Sequence, residues 1–212
     1  MNEDERNRYN LALEKSGKIR ATLFSMTSSV RRELGIVGIR LIKHIFLALE
    51  ISLMRGAVAD GGVYNIEKEC ISGLCHGAVA TLLNTKANEL GAQIDHSFDE
   101  MTLCEMLCDA DDDTAEEILN FCEEISREPL DEFITAFAKC DAKVGGKNLK
   151  EISEMASHIF FALSEMDGDR LSSSAPYDES NDAWKEWNVI EKCFKRLLVE
   201  PWKKVMEDSQ NG

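Results

Sequence analysis

Acidic side chains follow apolar helical patterns at three places in the sequence, each time at a predicted turn. The turns carry Asp60 with Glu67 seven residues later, then Asp141, and then Asp167 with Asp169. Carboxylate oxygens are the ligands that Ca²⁺ and Mg²⁺ prefer, and about six to eight oxygens typically surround Ca²⁺. If the three turns meet at one end of a helical fold, these five carboxylates form a candidate divalent-cation site.

The same side chains also suit a structural role in the turns. Asp60 and Asp167 can accept hydrogen bonds from the loop backbone, and Glu67 favours the first turn of a helix. In the second turn Asn148 is a candidate N-cap, and Glu151 follows three residues later at the spacing of a capping box. Cation binding and loop capping therefore both remain open for the acidic turns.

Motifs with recognised catalytic chemistry are missing from the sequence. It has no Cys-x-x-Cys pair, no His-Glu-x-x-His, no Glu-x-x-His, no P-loop and no Gly-x-Ser-x-Gly. We therefore predict no catalytic residues, and no cofactor other than Ca²⁺ or Mg²⁺ at the acidic turns. The seven cysteines mostly lie inside apolar helical patterns, which is typical of buried reduced thiols. A metal-dependent hydrolase is the alternative, although the sequence shows acids without a general base.

Charge is distributed unevenly along the chain. The net charge is −15, yet residues 1–43 hold nine Lys or Arg against five Asp or Glu. Between Asp95 and Glu132 there are fifteen carboxylates and a single base, Arg127. Such an acidic body repels phosphate backbones, which argues against nucleic-acid binding through it. It suits either a solvated surface or a docking face for a basic protein partner.

Apolar residues recur at helical spacing through almost the whole chain, and no run alternates convincingly with period two. The pattern predicts an all-α fold, a single bundle of about seven to eight helices. The predicted turns lie near Gly35 and at 60–64, 91–97, 109–113, 127–129, 141–147 and 167–180. We expect a basic helical segment at 1–34, a helical domain at 35–205 and a disordered tail at 206–212.

The phrase from Ala57 to Glu67 is followed by related phrases at 133–151 and 160–168. Together the three resemble the TerB-like family of helical domains, named after a tellurite-resistance protein, over about residues 36–200. The resemblance implies a pseudo-twofold pair of helix, Asp-Gly loop and helix units. Asp60 and Glu67 match the acidic pair of the family, and Asp167 matches its second Asp-Gly. It also implies binding of divalent cations or protein partners, without catalysis, in a bacterial stress-response or defence setting.

The most apolar stretch, Gly35 to Ala59, carries Arg40, Lys43, Glu50 and Arg55 at intervals that a membrane-spanning helix does not tolerate. With no signal peptide in the sequence, we expect a cytoplasmic protein. The sequence favours a non-enzymatic binding or adaptor module that acts through protein–protein contacts. The sensor domain of a larger AAA-type ATPase is a further alternative, and the sequence predicts no particular oligomeric state.

Overall fold

A computed structural model of the chain describes residues 1–59, 65–89, 100–165 and 182–211, which are helical almost throughout. Helix α1 spans Glu3–Leu34, and two 3₁₀ turns, Gly38–Arg40 and Ile42–His44, lead into α2, Ile45–Ala59. The other helices are α3, Asn65–Cys75; α4, Ala78–Glu89; α5, Glu100–Asp109; α6, Asp112–Ala142; α7, Lys147–Leu163; α8, Asp182–Phe194; and α9, Glu200–Asn211. A π-helical turn at Lys195–Val199 joins α8 to α9 without a break. The all-α prediction is confirmed: the described ranges hold eight uninterrupted helices, with α8 to α9 taken as one, and no strand.

Helix α1 begins and ends with signals that the sequence carries. The Asn2 side chain accepts from the backbone N–H of Glu5 at 3.0 Å, and the Glu5 carboxylate accepts in return from the Asn2 backbone. Gly35 ends the helix in the left-handed region at φ 68°. One face of α1, with Leu23 fully enclosed, packs along α7, so this basic helix shares the core with the rest of the chain.

Helix α2 is buried along nearly its whole length, because it contacts α3, α4, α5, α6 and α8. A helix that is apolar all round belongs in such a central position. Its contact with α8 is close at Gly56, where an added Cβ atom would lie 2.3 Å from Cγ1 of Ile190. The glycine therefore allows α2 and α8 to approach each other closely.

Helix α6 runs through Pro129, so the turn that the sequence predicts at 127–129 is wrong. A proline inside a helix removes one backbone hydrogen bond and costs about 3 kcal/mol. Buried side chains on both sides of it offset that cost, among them Cys122 and Ser126 before the proline and Leu130 after it. Tertiary packing thus keeps α6 continuous at a position where the local sequence favours a helix break.

The C-terminal residues from 206 onward continue α9 to Asn211 instead of forming the predicted disordered tail. Trp202 is fully enclosed in the core, and Val205 and Met206 pack against it. The end of Met206 also lies over Gly146, where an added Cβ would be 2.7 Å from the Met206 Cε atom. These apolar contacts hold the helix in place beyond its last fully buried residue.

Candidate functional site

The acidic turns of the sequence fall mostly outside the part of the chain that the structure describes. Asp60, Asp167 and Asp169 lie outside the described residues, and only the backbone of Glu67 is described, in the first turns of α3. Their convergence into one site, and the pseudo-twofold superposition of the two helix pairs, stay predictions. Among the candidate ligands, Asp141 has described surroundings.

Asp141 is fully enclosed, and both of its carboxylate oxygens accept hydrogen bonds. Oδ1 accepts from the backbone N–H of Asn148 at 2.9 Å and from its side-chain amide at 2.7 Å. Oδ2 accepts from the backbone N–H of Leu149 at 2.9 Å and from Nε1 of Trp202 at 3.2 Å. Four donors therefore satisfy a buried carboxylate that would otherwise be costly to bury.

The turn from α6 to α7 explains why Asp141 takes this role. Gly145 and Gly146 have φ of 71° and 75°, left-handed values that glycine adopts without strain, and Gly146 occupies the N-cap position with no side chain to offer. Asp141 supplies the missing cap from the end of α6. Asn148 is accordingly the second residue of α7, not its N-cap, and the capping box predicted with Glu151 does not form.

The surroundings of Asp141 favour loop capping over cation binding for this residue. Its lone pairs face N–H donors, whereas a hard cation needs several converging oxygens. Within the described ranges, no three side chains of His, Cys, Asp or Glu gather as ligands for a metal ion.

A charge cluster ties together α2, α6 and the π turn. Glu123 accepts from Nε of Arg55 at 2.5 Å and from Nη2 of Arg196 at 2.7 Å. Arg55 also donates to Glu116 at 2.8 Å and to Asn120 at 2.7 Å. Burial by itself raises the pKa of the Glu123 carboxyl, but the hydrogen bonds and charges of the two arginines outweigh burial and hold this pKa below its ordinary value. Glu123 is therefore ionised at neutral pH and joins three elements.

The six cysteines whose side chains the structure describes are buried, as the sequence predicts. They form no disulfide, and they are Cys70, Cys75, Cys104, Cys122, Cys140 and Cys193. Burial raises the pKa of the Cys122 thiol to about 12, with a smaller contribution from the negative charge of Glu50. Because the thiolate is the reactive form, such a cysteine is inert.

An exposed row of side chains follows one face of α6. Its members recur three and four residues apart and consist of Glu117, Phe121, Glu124, Glu128 and Asp131, which we call the acidic stripe. Phe121 is 53% exposed, which is unusual for a large aromatic side chain. Lys86 of α4 reaches Glu128 at 3.4 Å. The other three carboxylates of the stripe form no ion pair within the described residues.

A second feature, which sequence reasoning missed, is a cavity of about 440 Å³ between α1, the 3₁₀ turns, α2 and α4. Its floor is apolar, with Ile42, Phe46 and Leu47 nearly fully buried. Phe24 and Ile39 stand at its edge, 58% and 54% exposed. Ile39, Ile42, Phe46 and Leu47 recur at helical spacing in the sequence, but the sequence does not show that Phe24 and the start of α4 complete a cavity around them.

Basic groups surround the same cavity. Arg20 lies with its guanidinium carbon 4.8 Å from the centre of the Phe46 ring, and Lys43 and His76 also line the space. His76 has a left-handed backbone, φ 55°, and its ring meets Phe46 edge-on at 6.2 Å. Among the described residues that line the cavity, none is acidic.

Comparison of the chain with protein-family models, with curated proteins and with solved structures finds no match. The resemblance to TerB-like domains therefore stays an inference from the Asp-centred phrases of the sequence. In the part of the chain that the structure covers, no helix is both long enough and apolar enough to cross a membrane.

Proposed function

We infer that this chain is a non-catalytic adaptor module that docks a basic protein segment on the acidic stripe of α6. The observation that carries the proposal is an exposed phenylalanine set among carboxylates on one helix face. Interface centres are typically built from an aromatic anchor, and charge around the anchor selects the partner and speeds encounter. The stripe offers both on a single rigid helix.

The charge of the stripe is available to a partner. Glu117, Glu124 and Asp131 form no ion pair with described residues, and Arg127 is the single base between Asp95 and Glu132. A lysine- or arginine-rich helix with one apolar side chain would neutralise these carboxylates and cover Phe121. Such a partner fits the acidic body, which repels nucleic acids.

The roles of two other acidic residues support a docking function without catalysis. The buried carboxylate of Asp141 is committed to four N–H donors, and Glu123 is committed to two arginines. Both of these acids serve to join helices to one another. The outer face of α6, by contrast, leaves its groups exposed to the surroundings.

The test is site-specific photo-crosslinking in cells that make the protein. A photoreactive phenylalanine analogue replaces Phe121 in one variant and Phe161, an aromatic residue of α7 that is 38% exposed, in the control. We expect a discrete protein adduct from position 121 and none from position 161. The same adduct from both positions, or none from either, would argue that the stripe only keeps the protein soluble.

The captured partner is then purified and titrated against the wild type and the double variant Glu117→Gln, Glu124→Gln. Loss of two interfacial charges should weaken binding roughly tenfold and flatten its dependence on salt. Phe121→Ala should weaken binding by at least a similar factor if the ring is the anchor. Unchanged affinity in both variants would place the docking surface elsewhere.

A further inference from the structure

We propose that the cavity between α1, α2 and α4 binds a free carboxylate with an unbranched alkyl chain, a fatty acid in chemical class. The alkyl chain lies on the apolar floor, and the carboxylate is held at the mouth by Arg20 and Lys43. This inference goes beyond the docking function of α6 and is independent of it, because the two surfaces share no residue.

The apolar part of the cavity suits a chain of methylene groups. Ile42, Phe46 and Leu47 form its buried floor, while Phe24 and Ile39 are more than half exposed at its edge. Exposed apolar groups next to a concave apolar surface gain most from a ligand that covers them. The volume of about 440 Å³ lies within the range of small-molecule sites, which is about 300 to 1,000 Å³.

The polar part of the cavity suits an anion. Arg20 and Lys43 form no ion pair within the described residues, and the Arg20 guanidinium is held in place by the Phe46 ring. A basic lining is notable in a chain whose net charge is −15. The positive charge of the lining therefore favours an anionic ligand.

The surroundings favour a single small anion over a bilayer or a nucleic acid. Both of those partners are extended anionic surfaces, and they would be repelled by the acidic body of the chain. The carboxylate-rich helix α6 contacts α4 directly, close to the cavity wall. A monomeric carboxylate would occupy the cavity alone, whereas a bilayer or a duplex would also cover part of α6. The planar fork of Arg20 matches the two oxygens of a carboxylate.

Isothermal titration calorimetry with saturated straight-chain carboxylates, kept below their micelle concentrations, tests the proposal. Each added methylene group should tighten the dissociation constant roughly fourfold until the cavity is filled, after which affinity levels off. Alcohols of the same chain length should bind at least about tenfold more weakly, because they lack the charge. Alkyltrimethylammonium ions should bind more weakly still.

Two variants locate the ligand. Arg20→Gln with Lys43→Gln should weaken carboxylate binding roughly tenfold and weaken alcohol binding much less, because the alcohol carries no charge for the two basic side chains to pair with. Thr81→Trp, which fills the cavity from α4, should reduce the binding of both ligands. Arg31→Gln, an exposed arginine of the same helix α1 that does not line the cavity, is the matched control and should bind as the wild type does.

Several results would overturn the proposal. One is the absence of saturable carboxylate binding, and another is equal affinity for the carboxylate, the alcohol and the quaternary amine. Binding to vesicles of phosphatidylcholine and phosphatidylserine without binding to the monomeric carboxylate would show a membrane surface instead. A dimer in sedimentation that Thr81→Trp dissociates would show that a second copy of the chain covers Phe24 and Ile39.

Discussion

Trp202 of α9 donates its indole N–H to Asp141 at the end of α6, across 3.2 Å and 61 positions of sequence. The same carboxylate caps the start of α7, so one buried acid joins three helices. The rings of Phe133 and Phe137 pack against Trp202, with centres 5.7 and 6.4 Å away. The C-terminal helix is therefore fixed by a hydrogen bond inside an aromatic cluster.

Asp141→Ala should lower the free energy of unfolding by about 3–5 kcal/mol, because it leaves several buried N–H donors without an acceptor. Trp202→Phe, which removes one donor and keeps an aromatic ring, should cost about 1.5–3 kcal/mol. The two changes should be less than additive in urea denaturation, by about 1 kcal/mol or more, since they remove a shared hydrogen bond. Strict additivity would contradict the coupling. A loss from Asp141→Ala that is equal in chelator and in millimolar Ca²⁺ would identify a cap and not a ligand.

Replacing either of two helical glycines by alanine should change the stability of the protein, but in opposite directions. At Gly56 a Cβ would meet Ile190, a fully enclosed side chain, at 2.3 Å, and overpacking of this kind typically costs about 1–3 kcal/mol. At Gly17, an exposed position of α1, nothing lies within 4 Å of the added Cβ, and alanine in a helix gains about 0.5–1 kcal/mol over glycine. Thermal melts should therefore show Gly56→Ala below the wild type and Gly17→Ala above it. If the melting temperature rises in both variants, α8 moves away from α2 with no loss of stability.

The helices could be predicted from the sequence because their signals are local. Periodic apolar residues and Gly35 gave the elements, while Pro129 misled, because its cost is offset by buried neighbours that no local window shows. The helical end of the chain was missed for the same reason, since Met206 is held by a contact with Gly146.

The candidate site was less accessible to sequence reasoning. Asp141 stood out as an acid at a turn, but its role depends on Trp202, which lies far along the chain. The cavity was even harder to predict from the sequence, because Arg20, Lys43 and Thr81 come from three separate elements. The sequence shows only that residues 1–43, which include Arg20 and Lys43, hold an excess of basic side chains in an acidic protein.

The other acidic turns are predicted to bind a divalent cation, and this prediction does not depend on Asp141. If Asp60, Glu67 and Asp167 form a site, millimolar Ca²⁺ or Mg²⁺ should raise the melting temperature, because a ligand that binds the native state alone stabilises it. The triple change to Asn, Gln and Asn should abolish that rise and leave the helical circular dichroism intact. If calorimetry detects no cation and the triple variant melts far below the wild type in chelator, these residues cap loops.

The charge cluster at Glu123 predicts how stability depends on pH. The two arginines hold the pKa of Glu123 in the folded protein below the ordinary value of 4.5 that it regains on unfolding. The unfolded state therefore binds the proton more readily, and the stability contributed by this carboxylate is present above pH 4.5 and lost as the pH falls through the lower folded value.

Glu123→Gln should accordingly be less stable than the wild type at pH 7, and the gap should narrow as the pH falls below 4.5. Urea denaturation at a series of pH values measures that gap. Glu154→Gln is the matched control, because this glutamate of α7 is exposed and its nearest ammonium, that of Lys150, is 3.9 Å away. A constant gap for Glu123→Gln across the acid range, or the same narrowing in Glu154→Gln, would mean that the arginines do not stabilise the ionised form. If the stability gap narrows for Glu123→Gln and not for Glu154→Gln, the ion pairs that join α2, α6 and the π turn require the ionised carboxylate of Glu123.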